Sequence, residues 1–296
     1  MVTIGTFDGV HAGHRKIIER LVNSAKADNL ESVILTFFPH PRMVLQKESG
    51  IKLINTIEER KQILSKTGID HLVVHPFTQQ FSRLTALEFV RDILVNKLRA
   101  RKVIIGYDHR FGRNRNADIN TLREFGEEFG FEVEEITKEE VNQVAVSSTK
   151  IRNALLEGRV ERANLYLQSP FSLCGKVVSG RGLGREFDFP TANLEVKEEY
   201  KLIPKNGVYV VRSNFDEKTW YGMMNIGTNP TVGGEAQTIE TYFFNLDQNL
   251  YDRELCIELL VRIRDEKKFE SVDALKIAMR QDEAFSKQYI KDNYAQ

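Results

Sequence analysis

Short apolar runs alternate with stretches of helical periodicity along the first half of the chain. Residues 1–6, 33–38, 72–75, 103–106 and 131–136 read as buried strands, and 15–30, 56–67, 86–98 and 120–129 as the helices between them. Such alternation predicts an α/β unit with a parallel, doubly wound, Rossmann-like sheet. Ligands of such sheets bind at the carboxyl ends of the strands, near the point where the strand order reverses. Residues 153–168 continue as helix, and Gln168-Ser169-Pro170 reads as a linker. Beyond it the period changes. Residues 173–178, 207–212, 220–226, 238–244 and 255–263 are strand-like and separated by Gly, Asn, Asp and Pro turns. This pattern predicts a small antiparallel β-barrel, with a closing helix over 271–293. The expected domains are 1–168 and 171–296, without internal repeats or low-complexity tracts.

Composition narrows the partners. The 296 residues, 41% of them apolar, suffice for two cores. Lys+Arg and Asp+Glu balance at 42 each, so no nucleic acid is expected and small-molecule substrates are favoured. Cys174 and Cys256 are too few for a disulfide framework and lie in no Cys-x-x-Cys pair, which fits a reducing cytoplasm. There is no apolar run of spanning length, so no membrane is expected and a cytoplasmic monomer or weak homo-oligomer is the reading.

The densest chemistry lies in Gly5-Thr6-Phe7-Asp8-Gly9-Val10-His11-Ala12-Gly13-His14, where strand becomes helix. Free N–H groups and the helix dipole favour an anion there, and Gly9 and Gly13 let a phosphate approach the backbone. His11 and His14, three residues apart, add donors toward the same oxygens. Attack on a nucleotide phosphate is the natural reaction, since positioned donors stabilise charge as it develops. A metal pair competes, although a third ligand is not obvious; so does a helix cap without chemistry.

Three further clusters follow the strands. Pro39-His40-Pro41 stiffens the exit of the second strand, as a rigid turn would. The segment from Gly106 to Arg115 holds Asp108, Arg110, Phe111 and two more arginines, suited to a phosphate or flavin or to a solvated loop. Ser147, Ser148 and Thr149 open a helix whose Arg152, one turn on, can clamp an anion.

In the second half, Gly175, Gly180, Gly182 and Gly184 precede Phe189-Pro190-Thr191-Ala192-Asn193. Without Gly-Lys-Ser/Thr this is no Walker loop. The hydroxyl of Thr191 and the amide oxygen of Asn193 can serve Mg²⁺ and phosphates beside glycines that permit close approach. Strand alternation places Glu240, Tyr242 and Phe244 on one face, a carboxylate beside aromatics that suits a flavin.

The first motif, with Pro-His-Pro, Gly-x-Asp-x-Arg-Phe-Gly and Ser-Ser-Thr-x-Ile-Arg, resembles the flavin-adenylylating domain of bifunctional riboflavin kinase/FAD synthetases. Gly-x-Val-x-x-Gly, Phe-Pro-Thr-Ala-Asn, Asn225-Ile226-Gly227-Thr228-Asn229-Pro230-Thr231 and the Thr-x-Glu strand resemble its riboflavin kinase domain. The resemblance implies riboflavin, FMN, FAD and ATP as ligands, with Mg²⁺ in both steps. It makes His11, His14, Arg152 and Glu240 catalytic. Gly5, Phe7, Asp8, Gly9, Gly13, Ser147, Ser148, Thr149, Gly175, Gly180, Gly182, Gly184 and Asn193 would bind ATP or its phosphates. Pro39, His40, Pro41, Asp108, Arg110, Phe111 and Tyr242 would line the flavin, and Thr191 and Asn193 would hold the metal. Departures from the family pattern fall at Asp188, Tyr242, Asn245 and Asp252. Two rivals stand beside this reading: a nucleotidylyltransferase for another phosphorylated metabolite with a regulatory barrel, and a flavin sensor without turnover.

Overall fold

The structure, a computed structural model, describes residues 1–46, 50–107, 109–137, 146–180, 189–231 and 234–294, the side chains of 229–231 and 234–236 excepted. The expectations for Asp108, Gly182, Gly184 and Asp188 lie outside the described residues. The chain divides into two compact units, Met1–Ser148 and Thr149–Gln296.

The first unit holds five parallel strands: β1 (Val2–Ile4), β2 (Val33–Phe38), β3 (His71–Pro76), β4 (Lys102–Gly106) and β5 (Glu132–Ile136). Their order is β3-β2-β1-β4-β5, so the winding reverses between β1 and β4. Side-chain alternation divides the apolar residues between two layers. Val2, Ile4, Leu35, Phe37, Val103 and Ile105 pack on α4 (Ala86–Phe89, running on as a π-helix over Val90–Lys97) and α5 (Ile119–Phe129). Ile34 and Ile104 meet α1 (Ala12–Ala27) and Leu64 of α3 (Ile57–Ser65) on the opposite side. Helix α1 begins three residues earlier than its periodicity suggests, because His11 is its N-cap. A short helix, α2 (Pro41–Leu45), follows β2 and has no apolar stripe to announce it.

The continuous helix expected over 153–168 is two helices, α6 (Ser148–Leu156) and α7 (Val160–Leu167). Gly158, at φ +78°, takes a left-handed conformation that ends the first. The Asn164 side chain on α7 donates to the Leu259 carbonyl at 2.8 Å and accepts from the Phe171 amide at 2.7 Å. It thereby fixes α7 to the barrel.

Six antiparallel strands close the barrel: β6 (Phe171–Val178), β7 (Ala192–Glu195), β8 (Gly207–Phe215), β9 (Lys218–Thr231), β10 (Gly234–Phe243) and β11 (Glu254–Arg264), in the order β10-β7-β6-β11-β8-β9. Five of the six are legible as apolar runs; β7 is too short and polar. That strand completes the closure between β6 and β10. The terminal helix α8 (Val272–Tyr294) lies on the barrel, where Arg264 makes a two-pronged ion pair with the buried Asp282, the shortest bond 2.7 Å. Trp220 on β9 stacks against Phe215 at 5.8 Å between centroids.

The cysteines depart from the expectation of two separate thiols: Cys174 and Cys256 form a disulfide. They stand directly opposite in the β6/β11 ladder, with Cα atoms 4.0 Å apart. Leu173, Val177, Leu255 and Ile257 on the same strands fill the interior, so the disulfide lies on the outer face.

Candidate active sites in two units

In the first unit the site grows from the exit of β1. Gly5 is required by a neighbour: a Cβ there would stand 2.9 Å from the ring of Phe7. Phe7 at φ +48°, Gly9 at +88° and Val10 at +39° turn the chain sharply into α1. The buried Phe7 ring lies 5.1 Å from that of His14. His11 caps the helix, its Nδ1 accepting from the His14 amide at 3.4 Å, which leaves the proton of the neutral ring on Nε2. The His11 and His14 rings stack 3.7 Å apart and 16° from parallel. Gly13 makes that possible, since a Cβ would press on the His11 ring at 3.2 Å.

His14 is held neutral. Desolvation lowers its pKa well below the ordinary imidazole value, and repulsion from His11, whenever that ring takes up a proton, and from Arg60 pushes the same way. Its Nδ1 is buried and has no hydrogen-bond partner among the described residues.

Asp8 takes backbone partners within the protein. Its fully buried carboxylate accepts from the amides of Ile54, at 3.0 Å, and Asn55, at 3.2 Å. An anionic acceptor of backbone N–H groups is a strong local clamp, worth roughly 1.5–3 kcal/mol per bond. Asp8 therefore ties the strand–helix turn to the loop before α3. Its carbonyl in turn accepts from the Ser148 hydroxyl at 2.9 Å, which fixes the start of α6 to the same turn. Ser147 is exposed beside it; Thr149, exposed, and Arg152, half-buried, belong to the second unit.

The expected flavin residues of this unit each have partners of their own. His40 is buried and caps α2 through Nδ1, which accepts from the Arg42 amide at 3.1 Å; Pro39 and Pro41 flank it, the Phe38–Pro39 bond being cis. Arg110 is exposed, 3.7 Å from Asp118. Phe111 is buried in the core, where it pairs with Ala117 through two backbone hydrogen bonds and packs 5.9 Å from the Phe89 ring. Its alternation with charged neighbours concealed this.

The barrel gathers a second group. Glu240 on β10 lies opposite Asn193 on β7 and Asn225 on β9. Thr191 donates its hydroxyl to Glu240 Oε2 at 3.4 Å. A Cβ on Gly180 would collide with the Asn193 amide group, so Gly180 lets the chain lie against that side chain. Gly175, by contrast, is no phosphate glycine. It lies within β6, where a Cβ would run into the carbonyl of Glu195 on β7, and its bareness serves strand packing.

Ile239, Thr241 and Phe243 fill the barrel, which leaves Glu240 and Tyr242 on the outer face. The Tyr242 ring meets Phe189 at 5.0 Å and Phe244 at 5.7 Å, in a cluster that includes Met279 and Ile290 of α8. Burial raises the pKa of its hydroxyl. Asp252 adopts φ +65° and pairs with Lys176 at 2.7 Å. Asn245 likewise takes φ +56°.

Sequence reasoning passed over Arg60, Asn55 and Thr36 in the first unit. The available signal was a cation in the first turn of a helix, where acidic residues are preferred. Among the described residues no helix is long and apolar enough to cross a membrane, and no three His, Cys, Asp or Glu side chains cluster as a metal site.

A Rossmann-like layer with a histidine pair at its switch point, followed by a closed barrel with a Thr-Asn-Glu group, defines a two-domain transferase of phosphorus-containing groups. Comparison with known proteins refines this. Residues 1–150 match the FAD synthetase family model and residues 167–290 the riboflavin kinase model. The chain is 36% identical to the bifunctional riboflavin kinase/FMN adenylyltransferase of Buchnera aphidicola subsp. Schizaphis graminum, covering 97% of this chain and 93% of that one. Its counterpart in Escherichia coli K12 is 34% identical, over 98% and 92%. A solved structure titled as a macrolide-efflux protein from Streptococcus pneumoniae superposes with a TM-score of 0.86 at 31% identity, covering 97% and 93% of the two chains. The chain belongs to the bifunctional riboflavin kinase/FMN adenylyltransferase family.

Proposed function

We propose that the chain converts riboflavin to FAD in two ATP-dependent steps, with the barrel acting as riboflavin kinase and the parallel-sheet unit as FMN adenylyltransferase. In the first step the riboflavin 5′-hydroxyl attacks the γ-phosphorus of ATP and ADP leaves. Glu240, which accepts from the Thr191 hydroxyl at 3.4 Å and lies opposite Asn193, accepts the hydroxyl proton. A divalent magnesium ion suits this set of hard oxygen donors and, when bound, screens phosphate charge. Thr191 and Asn193 would hold it, with the backbone of Gly180 lying against the Asn193 amide.

In the second step a phosphate oxygen of FMN attacks the α-phosphorus of ATP, the bond to the β-phosphate oxygen breaks, and pyrophosphate departs. No strong base is needed, because the attacking phosphate is already anionic. His11 donates through Nε2, while His14, stacked on it, presents a neutral imidazole. Arg152 takes the leaving pyrophosphate, and Ser148 aligns the helix that carries it. The observation that carries this assignment is the stacked imidazole pair on the first turn of α1, at the switch point of the sheet.

The test is incubation of purified protein with riboflavin, ATP and Mg²⁺, with flavins separated chromatographically and pyrophosphate measured. FMN is expected first and FAD after it, with one pyrophosphate per FAD. Riboflavin left unchanged, or FMN that accumulates without FAD, would reject one or both assignments.

A further inference from the structure

Asn225 opens the Asn-Ile-Gly-x-x-Pro-Thr element, to which the kinase scheme gives no task. Met224 and Ile226 point into the barrel, so Asn225 stands half-buried on the outer face, as Glu240 does. The ladder sets three polar residues in one row: Asn193 of β7 opposite Glu240 of β10, and Glu240 opposite Asn225 of β9. Directly opposite residues on one face have Cβ atoms about 4.5–5.5 Å apart, within reach of one bound group. Two amides therefore flank the carboxylate. On one side of this row along the strands, Met223 and Tyr242 stand opposite each other in an apolar cluster with Phe189 and Phe244. On the other side lies Gly227, which is bare, and the Glu266 carboxylate fills the space above it. A Cβ on Gly227 would run into Glu266 Oε1 and press on the Asn225 amide nitrogen at 3.1 Å. Glu266 is fixed there, Oε1 accepting from the Thr228 amide at 3.3 Å and Oε2 from Asn206 Nδ2 at 3.1 Å. Asn206 Oδ1 in turn accepts from Gln237 Nε2 at 3.3 Å, which ties the group to β10.

We propose that Asn225 is a further substrate-binding residue of the kinase site, one that recognises the polyhydroxyl chain of riboflavin, with Glu266 holding it in place. The proposal rests on the assignment of riboflavin phosphorylation to the barrel. Asn225 lies between two carboxylates, Glu240 across the ladder and Glu266 along its own strand. Lys205 and Arg262, the cations that border Asn206, are both paired with Asp265. A phosphate is repelled from such a place, whereas an uncharged hydroxyl meets an amide that both donates and accepts. On the β7 flank the acidic neighbour of Asn193 is Glu195, and it stands opposite Lys176. With phosphates and metal at Thr191 and Asn193 and the terminal hydroxyl at Glu240, the rest of the flavin side chain falls to the Asn225 flank. Its secondary hydroxyls are the groups to be bound there. A site built to hydrogen-bond a substrate hydroxyl discriminates against the analogue that lacks it, because its own polar groups are then left unpaired.

The experiment uses the full chain and two acceptors: riboflavin, and a flavin whose ribityl chain is replaced by ω-hydroxypentyl, with the same ring and terminal hydroxyl but no secondary hydroxyls. The readout is kcat/KM for phosphorylation of each, with adenylylation of added FMN measured in parallel. The unaltered enzyme should prefer riboflavin by about 10- to 100-fold. Asn225→Ala should lose most of that preference, through a fall with riboflavin and a change of less than about 3-fold with the analogue. Glu266→Ala should reduce the preference in the same direction and by less, and adenylylation should be unaffected in both. A merely structural role would lower both acceptors equally. A preference that is absent from the unaltered enzyme, or that is unchanged in Asn225→Ala or in Glu266→Ala, would overturn the proposal. Where the emission of Trp220 shows that Asn225→Ala leaves the barrel unfolded, Asn225→Leu, of similar size, replaces it with the same expected loss. An unaltered enzyme that forms no FMN from riboflavin would instead reject the kinase assignment itself.

Discussion

The Ser148 hydroxyl donates to the Asp8 carbonyl at 2.9 Å, bridging 140 residues of sequence. The bond holds Ser148, the last residue of the first unit, to the turn that presents the histidines. Replacement by alanine removes it while leaving the Asp8 carboxylate on its own amide partners. Ser148→Ala should lower FAD synthesis roughly 5- to 10-fold, in line with a net hydrogen-bond contribution of about 1 kcal/mol. Ser148→Thr should recover part of it. Steady-state rates with FMN and ATP decide this, and an unchanged rate in Ser148→Ala would remove Ser148 from the site.

The two chemistries should separate by single substitutions. His14→Ala is expected to abolish FAD formation while FMN still accumulates from riboflavin. Glu240→Gln is expected to stop FMN formation while FAD is still made from added FMN. Either variant, if folded yet inactive in both reactions, would contradict the division of labour.

His14 also makes the stability of the first unit depend on pH. Its folded pKa lies well below the ordinary 6.5, so the unfolded chain takes up the proton first as pH falls. The sign follows: stability is fully present above about pH 6.5, and declines below it until the folded ring itself titrates. His14→Asn should flatten this slope. Calorimetric melting of both proteins at pH 5 and pH 7.5 tests it, and equal pH dependence in the two would disprove it.

Gly175 has no room for even a methyl group, because the obstacle is the backbone carbonyl of Glu195 on the adjoining strand. Gly175→Ala should destabilise the barrel by about 2–4 kcal/mol and abolish phosphorylation, with FAD synthesis from supplied FMN retained. Thermal melts and the two activity assays check this. An unperturbed melt would mean that β6 and β7 can part.

The pairing of Cys174 with Cys256 links strands 82 residues apart in sequence. Oxidised protein should resist alkylation at both positions until a reductant is added. Reduction should then lower barrel stability by roughly 2–4 kcal/mol. Mass spectrometry after alkylation settles the linkage, and Cys174→Ser should melt like the reduced protein.

The parallel sheet was legible because β2, β4 and β5 are continuous apolar or alternating runs bounded by turns, and because α1, α3 and α5 keep one buried stripe. The phosphate turn was legible for a different reason: Gly, Asp and His at those spacings have few other uses. Three features were not. Strand β7 contributes one inward residue, Leu194, which is too few to show a period. The directions of Phe111 and Gly175 depend on which strand or helix lies across from them, and local sequence does not record that. The role of Asp8 depends on the amides of Ile54 and Asn55, more than forty residues away.

Trp220, the sole tryptophan of the chain, stacks on Phe215 within the barrel. Intrinsic emission excited at the red edge of protein absorbance therefore originates wholly from the riboflavin kinase half. Each half can be followed through denaturation without cutting the polypeptide: fluorescence tracks one, and loss of helical ellipticity beyond that transition tracks the other.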